Sequence, residues 1–357
     1  MALITGWFCQ ERPLHPGAKM AIPTIFEESW PSPQKLGNDS RSAAILLGES
    51  RETIAGHLGI RTDELHFLGE PRLGFHLGIS GLVENGSTYF HSAVDREPAF
   101  AVSRFLGQSS QAKVHQLAVD SMGLVEDFSS DLSDVVSWQL LNGETGVIQR
   151  KYTNSSRVFC DATSSGTRIS LPENWSTALW ESRAWAGPAG IGIFGLRTGA
   201  QWRNPLPHND GKVVPGSASL ALIVASALAI DSWVADEKLL AQRIRDINAR
   251  MRGFVAERIP GTSFATGIEN TSPHLLSLII EGVDEQQVLA KLLEKGIHVD
   301  SGSACSATNM DPSHVLAAMG KSIKGNIRFT IHHEITEDEV DLALIALQSV
   351  IEEVRES

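Results

Sequence analysis

The chain has 357 residues, of which 42% are hydrophobic and 20% charged, so it is large enough to bury the cores of two globular domains. Its formal net charge of -12 argues against nucleic acid or an anionic membrane as a general partner. The three cysteines, Cys9, Cys160 and Cys305, are far apart and form no Cys-x-x-Cys pair, which favours a reducing compartment over a disulfide framework.

Neither an export signal nor a membrane segment is expected. The first eight residues lack a basic stretch followed by a long apolar run, so they do not predict a signal peptide. The most apolar run, residues 220–230, is about half of the roughly 20 residues that a membrane span requires. It predicts a buried, alanine-rich helix, and we expect a cytoplasmic protein.

Strand-like and helix-like segments alternate through the first half of the chain. Residues up to about Pro33 are expected to be irregular, because prolines interrupt them repeatedly. A helical stripe of apolar residues then predicts a helix over residues 42–58. The segments that follow are strands at 65–68, 88–91, 114–119, 135–141 and 157–160, with helices at 73–82 and 98–106. This alternation predicts an α/β fold with a mostly parallel, doubly wound sheet, in which ligands bind at the carboxyl ends of the strands.

The pattern changes after a long amphipathic helix predicted over residues 232–258. Strands are predicted at 275–280, 297–299 and 327–331, and helices at 284–295 and 313–319. A capping box formed by Thr336 and Glu339 predicts the start of a last helix, which ends near residue 356. We expect a large domain over residues 14–257 and a smaller α+β domain that combines residues 1–13 with residues 258–357.

Two stretches contain charged residues in apolar surroundings. Asp161 ends the buried strand at 157–160, where a carboxylate can pair with the protonated ring nitrogen of pyridoxal phosphate. It can equally cap the element that follows. Arg328 lies within an apolar strand and needs a carboxylate partner, either in an internal salt bridge or on a substrate.

The segment 301–305 reads Ser-Gly-Ser-Ala-Cys and places Cys305 among small, polar residues. A cysteine on such a loop is positioned for reaction rather than for burial, although an ordinary loop cysteine is the simpler interpretation. A fourth stretch, Gly-Pro-Ala-Gly-Ile-Gly at 187–192, predicts a turn before an apolar segment.

Taken in this order, these stretches resemble the cysteine desulfurases, within the class V aminotransferase group of fold-type-I pyridoxal phosphate enzymes. The most specific match is 301–305 together with Asp-Pro-Ser-His-Val-Leu at 311–316 and Ile-Arg-Phe at 327–329. Further matches at 13–16, 50–55, 142–146 and 272–277 extend the resemblance over nearly the whole chain. The resemblance implies the fold-type-I architecture, and a dimer whose pockets are completed across the subunit interface.

The resemblance also implies a mechanism. A lysine forms a Schiff base with pyridoxal phosphate, substrate cysteine replaces it, and the loop cysteine then attacks the substrate sulfur, leaving a persulfide and alanine. By this resemblance Cys305 is the sulfur acceptor and Arg328 binds the substrate carboxylate. The residues implied at the cofactor are Asp161, Arg72, Asn142, Ser164, Arg183, Gly216 and Ser217.

The sequence departs from the family pattern where the lysine belongs. The family has Ser-x-His-Lys shortly before Gly-Pro, whereas this chain has Arg183 at the position of the histidine and Ala184 at that of the lysine. Alanine cannot form an imine, so covalent binding of pyridoxal phosphate is not expected there. The only lysine between Lys151 and Lys238 is Lys212, in a segment expected at the subunit interface, and its use by the partner subunit is an alternative.

Other cofactor positions are also altered. The phosphate loop reads Gly-Glu-Pro-Arg-Leu at 69–73, where Pro71 removes a backbone donor while Arg72 is able to hold a phosphate with two hydrogen bonds. The histidine that stacks on the ring is replaced around Asp95 and Arg96. The family's Asp-Ala-x-Gln ends in Ser164, and its Arg-Ser-Gly-Thr run is best matched by residues 214–217.

These departures favour a homologue with a degenerate cofactor pocket. It is interpreted as a pseudoenzyme, a regulatory partner, or a sulfur-relay protein whose Cys305 accepts sulfur from another desulfurase. A homodimer and a heterodimer with an active relative both remain open, as does an exchange of sulfur with a donor or acceptor protein. The alternative is an active desulfurase or aminotransferase, dependent on pyridoxal phosphate, with an atypical site.

Overall fold

A computed structural model describes residues 6–154, 156–208, 213–214, 217–302 and 312–356. The first group of helices is α1 (Pro16–Glu28), α2 (Asn38–Leu58), α3 (Leu73–Ser80) and α4 (Glu97–Gln108). The first group of strands is β1 (Leu65–Leu68), β2 (Thr88–Ser92), β3 (Lys113–Leu117), β4 (Val135–Gln139), β5 (Arg157–Asp161), β6 (Trp175–Glu181) and β7 (Gly192–Leu196). The remaining elements are α5 (Leu220–Arg258), β8 (Thr262–Phe264), β9 (Leu275–Ile280), α6 (Glu285–Glu294), α7 (His314–Ala318), β10 (Asn326–Thr330) and α8 (Glu337–Glu356).

A seven-stranded sheet in the order β1-β7-β6-β5-β4-β2-β3 organises the first part of the chain. The strands from β3 across to β6 pair in parallel, whereas β7 is antiparallel to both of its neighbours. The mostly parallel, doubly wound sheet expected from the sequence is therefore confirmed. Because β1 and β2–β6 all run the same way, the loops that follow them meet at one edge of the sheet, where α/β folds bind ligands.

The second part is a smaller α+β unit built on a three-stranded antiparallel sheet in the order β10-β9-β8. Its hydrophobic core includes buried side chains of β9, β10 and α8. Helix α5 joins the two units: Ile223–Trp233 contribute to the core beneath the large sheet, and Ile244–Val255 contribute to the core of the small one. The division at residue 257 stays a prediction.

Several sequence expectations require correction. Residues 16–28 form helix α1, because Pro16 occupies the first turn, where a missing N–H is tolerated, and Ala18 and Ile25 are buried. Strands β6 and β7 have no counterpart among the predicted strands. Residues 297–299, expected as a strand, make only an isolated parallel bridge from His298 to Trp7.

The predicted capping box at the start of α8 is confirmed. Thr336 accepts a hydrogen bond from the backbone N–H of Glu339 at 3.2 Å, and the Glu339 carboxylate accepts from the N–H of Thr336 at 2.7 Å. Gly296 follows α6 with a φ of 77°, which favours glycine. The apolar run from residue 220 and the amphipathic helix after it are one continuous helix, α5. No helix in the described ranges is both long enough and apolar enough to span a bilayer.

Candidate functional site

A cavity of about 500 Å³ lies between the carboxyl edge of the large sheet and the small unit, a volume suited to a small molecule. Its floor is formed by the loops after β1, β2, β5 and β6. Its roof is formed by the N-terminal segment 7–12 and by residues around β9 and β10. The residues that matter for its chemistry are, on the floor, Arg72, Arg96, Thr163, Ser164, Arg183 and Ala184, and, on the roof, Arg12, His274, Asp300 and His332.

The structure places most of the predicted site residues in or beside this cavity. Arg72, Ser164, Arg183 and Ala184 line it directly, and buried Asp161 is two residues from the lining residue Thr163. Asn142 lies behind the lining. Its side-chain amide donates to the carbonyl of Val94 at 3.0 Å, and its oxygen accepts the N–H groups of Glu144 and Thr145. The carbonyl of Ser217 lies near Gly69, at the end of β1. Cys305, Gly216 and Lys212 lie outside the described residues.

Ala184 lies in a short 3₁₀ turn that directly follows β6. The turn is firmly held, because Ser182 donates a hydrogen bond to Ser226 at 2.8 Å and the indole of Trp185 donates to the same hydroxyl at 3.3 Å. Gly187 lies close enough to Ser182 that a Cβ would come within 2.0 Å of its hydroxyl oxygen. Among the described residues that line the cavity there is no lysine.

Arg183, beside Ala184, is paired with two carboxylates. Its Nη1 lies 2.6 Å from Glu11, and its Nε lies 2.7 Å from Glu181. Both acids also line the cavity. Their charges are therefore used within the protein and contribute little attraction for a cationic ligand.

Asp161 holds the turn after β5. Its Oδ1 accepts hydrogen bonds from the backbone N–H of Thr163, at 3.0 Å, and from the Thr163 hydroxyl. That hydroxyl in turn accepts a hydrogen bond from the guanidinium of Arg96. These bonds hold the turn after β5 and bring Arg96 to the floor of the cavity.

Asp95, next to Arg96, is a buried acid that the sequence alone does not assign a role. Its Oδ2 accepts the backbone N–H of Ser92 at 3.1 Å, whereas Oδ1 has no hydrogen-bond partner among the described residues. Burial raises the pKa of Asp95 to about 8. The side chain is only 1% exposed, so it lies beneath the cavity and not in its wall.

Arg328 forms an internal salt bridge. Its guanidinium lies 3.1 Å from Oδ2 of Asp300, and the same oxygen accepts the backbone N–H of Gln10 at 2.7 Å. The backbones of Arg328 and Asp300 are also joined by a β-bridge. Of the two partners that the sequence left open for Arg328, the structure has the internal carboxylate.

A cationic and aromatic cluster under the roof has no counterpart in the sequence-based site. The guanidinium carbon of Arg12 lies 3.9 Å from the centre of the Trp233 ring, and that of Arg168 lies 4.8 Å from it. Arg168 pairs with Glu237 at 3.2 Å, and Glu237 also lies 3.2 Å from His333. The cluster joins segments more than 150 residues apart, and no local motif marks it.

The roof histidines are held in the neutral form. Burial, with a contribution from the positive charge of Arg12, lowers the pKa of His332 to about 3, and burial lowers the pKa of His274 well below its usual value. Burial also lowers the pKa of Arg12, and the nearby charge of Arg168 lowers it further, against the opposing effect of Glu334. The roof is therefore positively charged through its arginines rather than its histidines.

The fold is that of the fold-type-I transferases dependent on pyridoxal phosphate. A solved structure of a NifS-like protein matches with a TM-score of 0.86 and 20% identity, covering 98% of this chain and 99% of its own. The cysteine desulfurase CsdA from Escherichia coli matches with a TM-score of 0.79 and 16% identity, covering 98% of this chain and 96% of its own. These likenesses confirm the architecture expected from the sequence.

Sequence comparisons find similarity to cysteine desulfurases. Residues 184–343 match the model for aminotransferase class V. The cysteine desulfurase IscS of Dictyoglomus turgidum is 24% identical, covering 96% of this chain and 93% of that protein. A cysteine desulfurase of Azotobacter chroococcum is also 24% identical, covering 94% and 89%. Over most of its length the chain is therefore similar to cysteine desulfurases, and residues 184–343 carry the class V aminotransferase match.

Several groups that the resemblance implies for pyridoxal phosphate differ in the described lining of the cavity. An imine requires an amine, and the described lining of the cavity contains no lysine. Pro71 has no backbone N–H to offer to a phosphate group. Arg183 is already paired with two carboxylates.

Proposed function

We propose that this chain is a non-catalytic member of its family, which uses the cavity for binding and acts as a pseudoenzyme or regulatory partner. The observation that carries the proposal is the lysine-free lining of the cavity, with Ala184 at the position where the resemblance expects the Schiff-base lysine. Without an amine at that position the bond that activates the family's substrates cannot form.

The ion pairs of two arginines support the same conclusion. Arg183 is engaged by Glu11 and Glu181, and Arg328 is engaged by Asp300. Releasing the buried guanidinium of Arg328 leaves Asp300 without its partner, which opposes binding. Releasing half-exposed Arg183 opposes it only weakly. The site is thus stabilised by internal pairs at two of the positions where the resemblance implies ligand contacts.

We extend the proposal to assembly and location. The chain forms a dimer with a second copy or with an active relative, because the resemblance implies pockets completed across the interface. We propose a cytoplasmic location, consistent with the separated cysteines. Regulation would then operate through the occupancy of the shared pocket.

The test is the visible spectrum of the purified protein mixed with pyridoxal phosphate, recorded before and after borohydride. We expect no reducible aldimine band from the wild-type chain. The Ala184→Lys variant is the positive control, since it restores an amine on the firmly held turn after β6. A reducible wild-type band would contradict the proposal, and its loss in a Lys212→Ala variant would assign the imine to Lys212.

A second candidate function is sulfur acceptance by Cys305. The described residues on either side of its segment lie at the cavity: Asp300 lines it, and Ser313 donates a hydrogen bond to Glu144, next to the lining residue Gly143. We propose that Cys305 receives sulfur from an active desulfurase. Incubation with such an enzyme and cysteine, followed by intact mass measurement, should show a sulfur adduct that Cys305→Ser loses and Cys9→Ser keeps. No adduct on the wild-type chain would refute this candidate.

A further inference from the structure

We propose that the cavity binds, without a covalent bond, a small molecule that carries two separated oxyanion groups. Arg12 anchors one group at the roof, and Arg96, with Arg72 also on the floor, anchors the other. The proposal rests on the non-catalytic function above, because no imine holds the ligand. Its test is separate, since it measures the affinity for anions and not the formation of an imine.

The balance of charges in the lining supports an anionic ligand. The three lining acids, Glu11, Glu181 and Asp300, are each paired with an arginine within the protein. Among the lining arginines, Arg168 and Arg183 have carboxylate partners. The other lining arginines make no ion pair within the described ranges; they are Arg12, Arg72 and Arg96. This excess positive charge is concentrated in one cavity of a protein whose net charge is -12.

Arg12 faces neutral acceptors and not a carboxylate. The ring of His332 has Nε2 at 2.7 Å from the carbonyl oxygen of Cys9, so Nε2 carries the proton and donates it. Its Nδ1 is then an acceptor, and Arg12 donates to it at 3.4 Å. One face of the guanidinium covers Trp233 at 3.9 Å. These contacts orient Arg12 without a direct ion pair. Glu334 and Glu237 act on its charge without pairing with it directly, and a second guanidinium, from Arg168, opposes them.

The floor provides a second site for an anion. Arg96 donates one hydrogen bond to Thr163, whose hydroxyl donates in turn to Asp161, so the arginine is positioned without a direct ion pair. Arg72 follows β1 and is more exposed. Since Arg96 comes from the sheet edge and Arg12 from the N-terminal segment, the two guanidiniums bound the cavity from different elements and favour a ligand with a charge at each end.

The chemistry of the ligand follows from the guanidinium group. Its planar, fork-shaped set of donors matches carboxylate and phosphate oxygens in pairs of parallel hydrogen bonds. A volume of about 500 Å³ accommodates a metabolite-sized molecule. Both a dicarboxylate and a phosphorylated carboxylate satisfy these requirements, and the experiment distinguishes them.

The test is isothermal titration calorimetry with four probes: succinate, 3-phosphoglycerate, acetate and inorganic phosphate. We expect at least one of the two-group anions to bind about tenfold or more tightly than either single-group anion, and the tighter of the two identifies the class. Arg12→Gln and Arg96→Gln should each weaken binding by about tenfold. Arg104→Gln, on the exposed face of α4, is the matched control and should leave it unchanged.

A labelling experiment on the wild-type protein covers the case in which a variant fails to fold. Phenylglyoxal modification mapped by mass spectrometry should show Arg12 protected by the bound two-group anion, with exposed Arg150 as the unprotected reference. Absence of binding, or binding that neither protects Arg12 nor depends on it, would overturn the inference. A reducible aldimine band would instead overturn the non-catalytic function, so the two failures are distinguishable.

Discussion

Removing a buried arginine should lower the free energy of unfolding more when the arginine has a carboxylate partner than when it has no direct ion pair. Arg328 is 2% exposed and pairs with Asp300, so Arg328→Ala strands a carboxylate and should lower the free energy of unfolding by about 3 kcal/mol. Arg12→Gln removes a charge that has no direct ion pair among the described residues, and it should cost less than about 1 kcal/mol. Urea unfolding of both variants tests this contrast. Equal losses of unfolding free energy in the two variants would show that the ion pair with Asp300 does not make Arg328 more important for stability than Arg12.

The buried carboxyl of Asp95 predicts a pH dependence of stability. Its pKa is raised to about 8 in the folded protein, from a value near 3.9 when unfolded, so the folded state holds one more proton between these values. Its contribution to stability is therefore present below about pH 4 and is lost as pH rises towards 8. The Asp95→Asn variant should remove this loss, about 1.4 kcal/mol per pH unit at its steepest. Urea midpoints at pH 6 and 8 that fall equally in both proteins would contradict it.

The residues of the site were only partly predictable from the sequence. Ala184, Arg183 and Arg72 are found at the cavity because short motifs fix their position relative to a strand end. Arg12 and Trp233 were not predicted, since nothing local relates two side chains that meet only when α5 and the N-terminal segment pack together. Tertiary contacts of this kind have no period or spacing in the sequence.

Helix α3 positions Arg72, and it does so by packing closely on the sheet. A Cβ on Gly78 would lie 2.4 Å from the ring of Phe159 on β5, so the glycine permits the close approach. Gly78→Ala should therefore destabilise the protein by about 2 kcal/mol. Gly48 on α2 has nothing within 4 Å of such a Cβ, and Gly48→Ala should be stabilising by about 0.5 kcal/mol. Thermal unfolding of the two variants tests the pair, and opposite signs are expected.

Helices and strands with a clear apolar period were predicted well from the sequence, and each segment that was predicted wrongly has a physical reason. Strand β1, helix α3 and the capped start of α8 follow the sequence expectations closely. Helix α1 was missed because its prolines suggested an irregular segment, although Pro16 stands where helices accept proline. The 297–299 segment is too short and too isolated to form more than single bridges with its neighbours.

The whole molecule assembles the site from two units that the sequence describes separately. Helix α5 contributes to both cores, and the N-terminal segment crosses to the small unit, where the N–H of Phe8 donates to the carbonyl of His298 at 2.7 Å. The cavity exists only between them. A change in their relative position would therefore alter the distance between Arg12 and Arg96, and with it the length of ligand that the cavity accepts.

Several buried histidines give the whole molecule a characteristic stability profile. Burial lowers the pKa of His66 to about 4 and of His332 to about 3, and that of His274 is also well below its usual value. Each ring is neutral when folded but binds a proton below about pH 6.5 when unfolded. Stability contributed by these rings is therefore present above pH 6.5 and is lost as pH falls. Asp95 acts in the opposite direction up to about pH 8.

The resulting profile should have its maximum near pH 7, with an acid limb steeper than the alkaline limb. On the acid side the three histidines act together with His76 and His91, whose pKa values burial also lowers, against one aspartate. On the alkaline side Asp95 lowers the stability up to about pH 8. Urea unfolding from pH 5 to pH 9 measures both slopes. His66→Gln should reduce the slope of the acid limb by the equivalent of about one bound proton. His208→Gln, on the surface, should retain the wild-type profile. An acid limb that is flat, or unaffected by His66→Gln, would show that the fold does not hold this ring neutral.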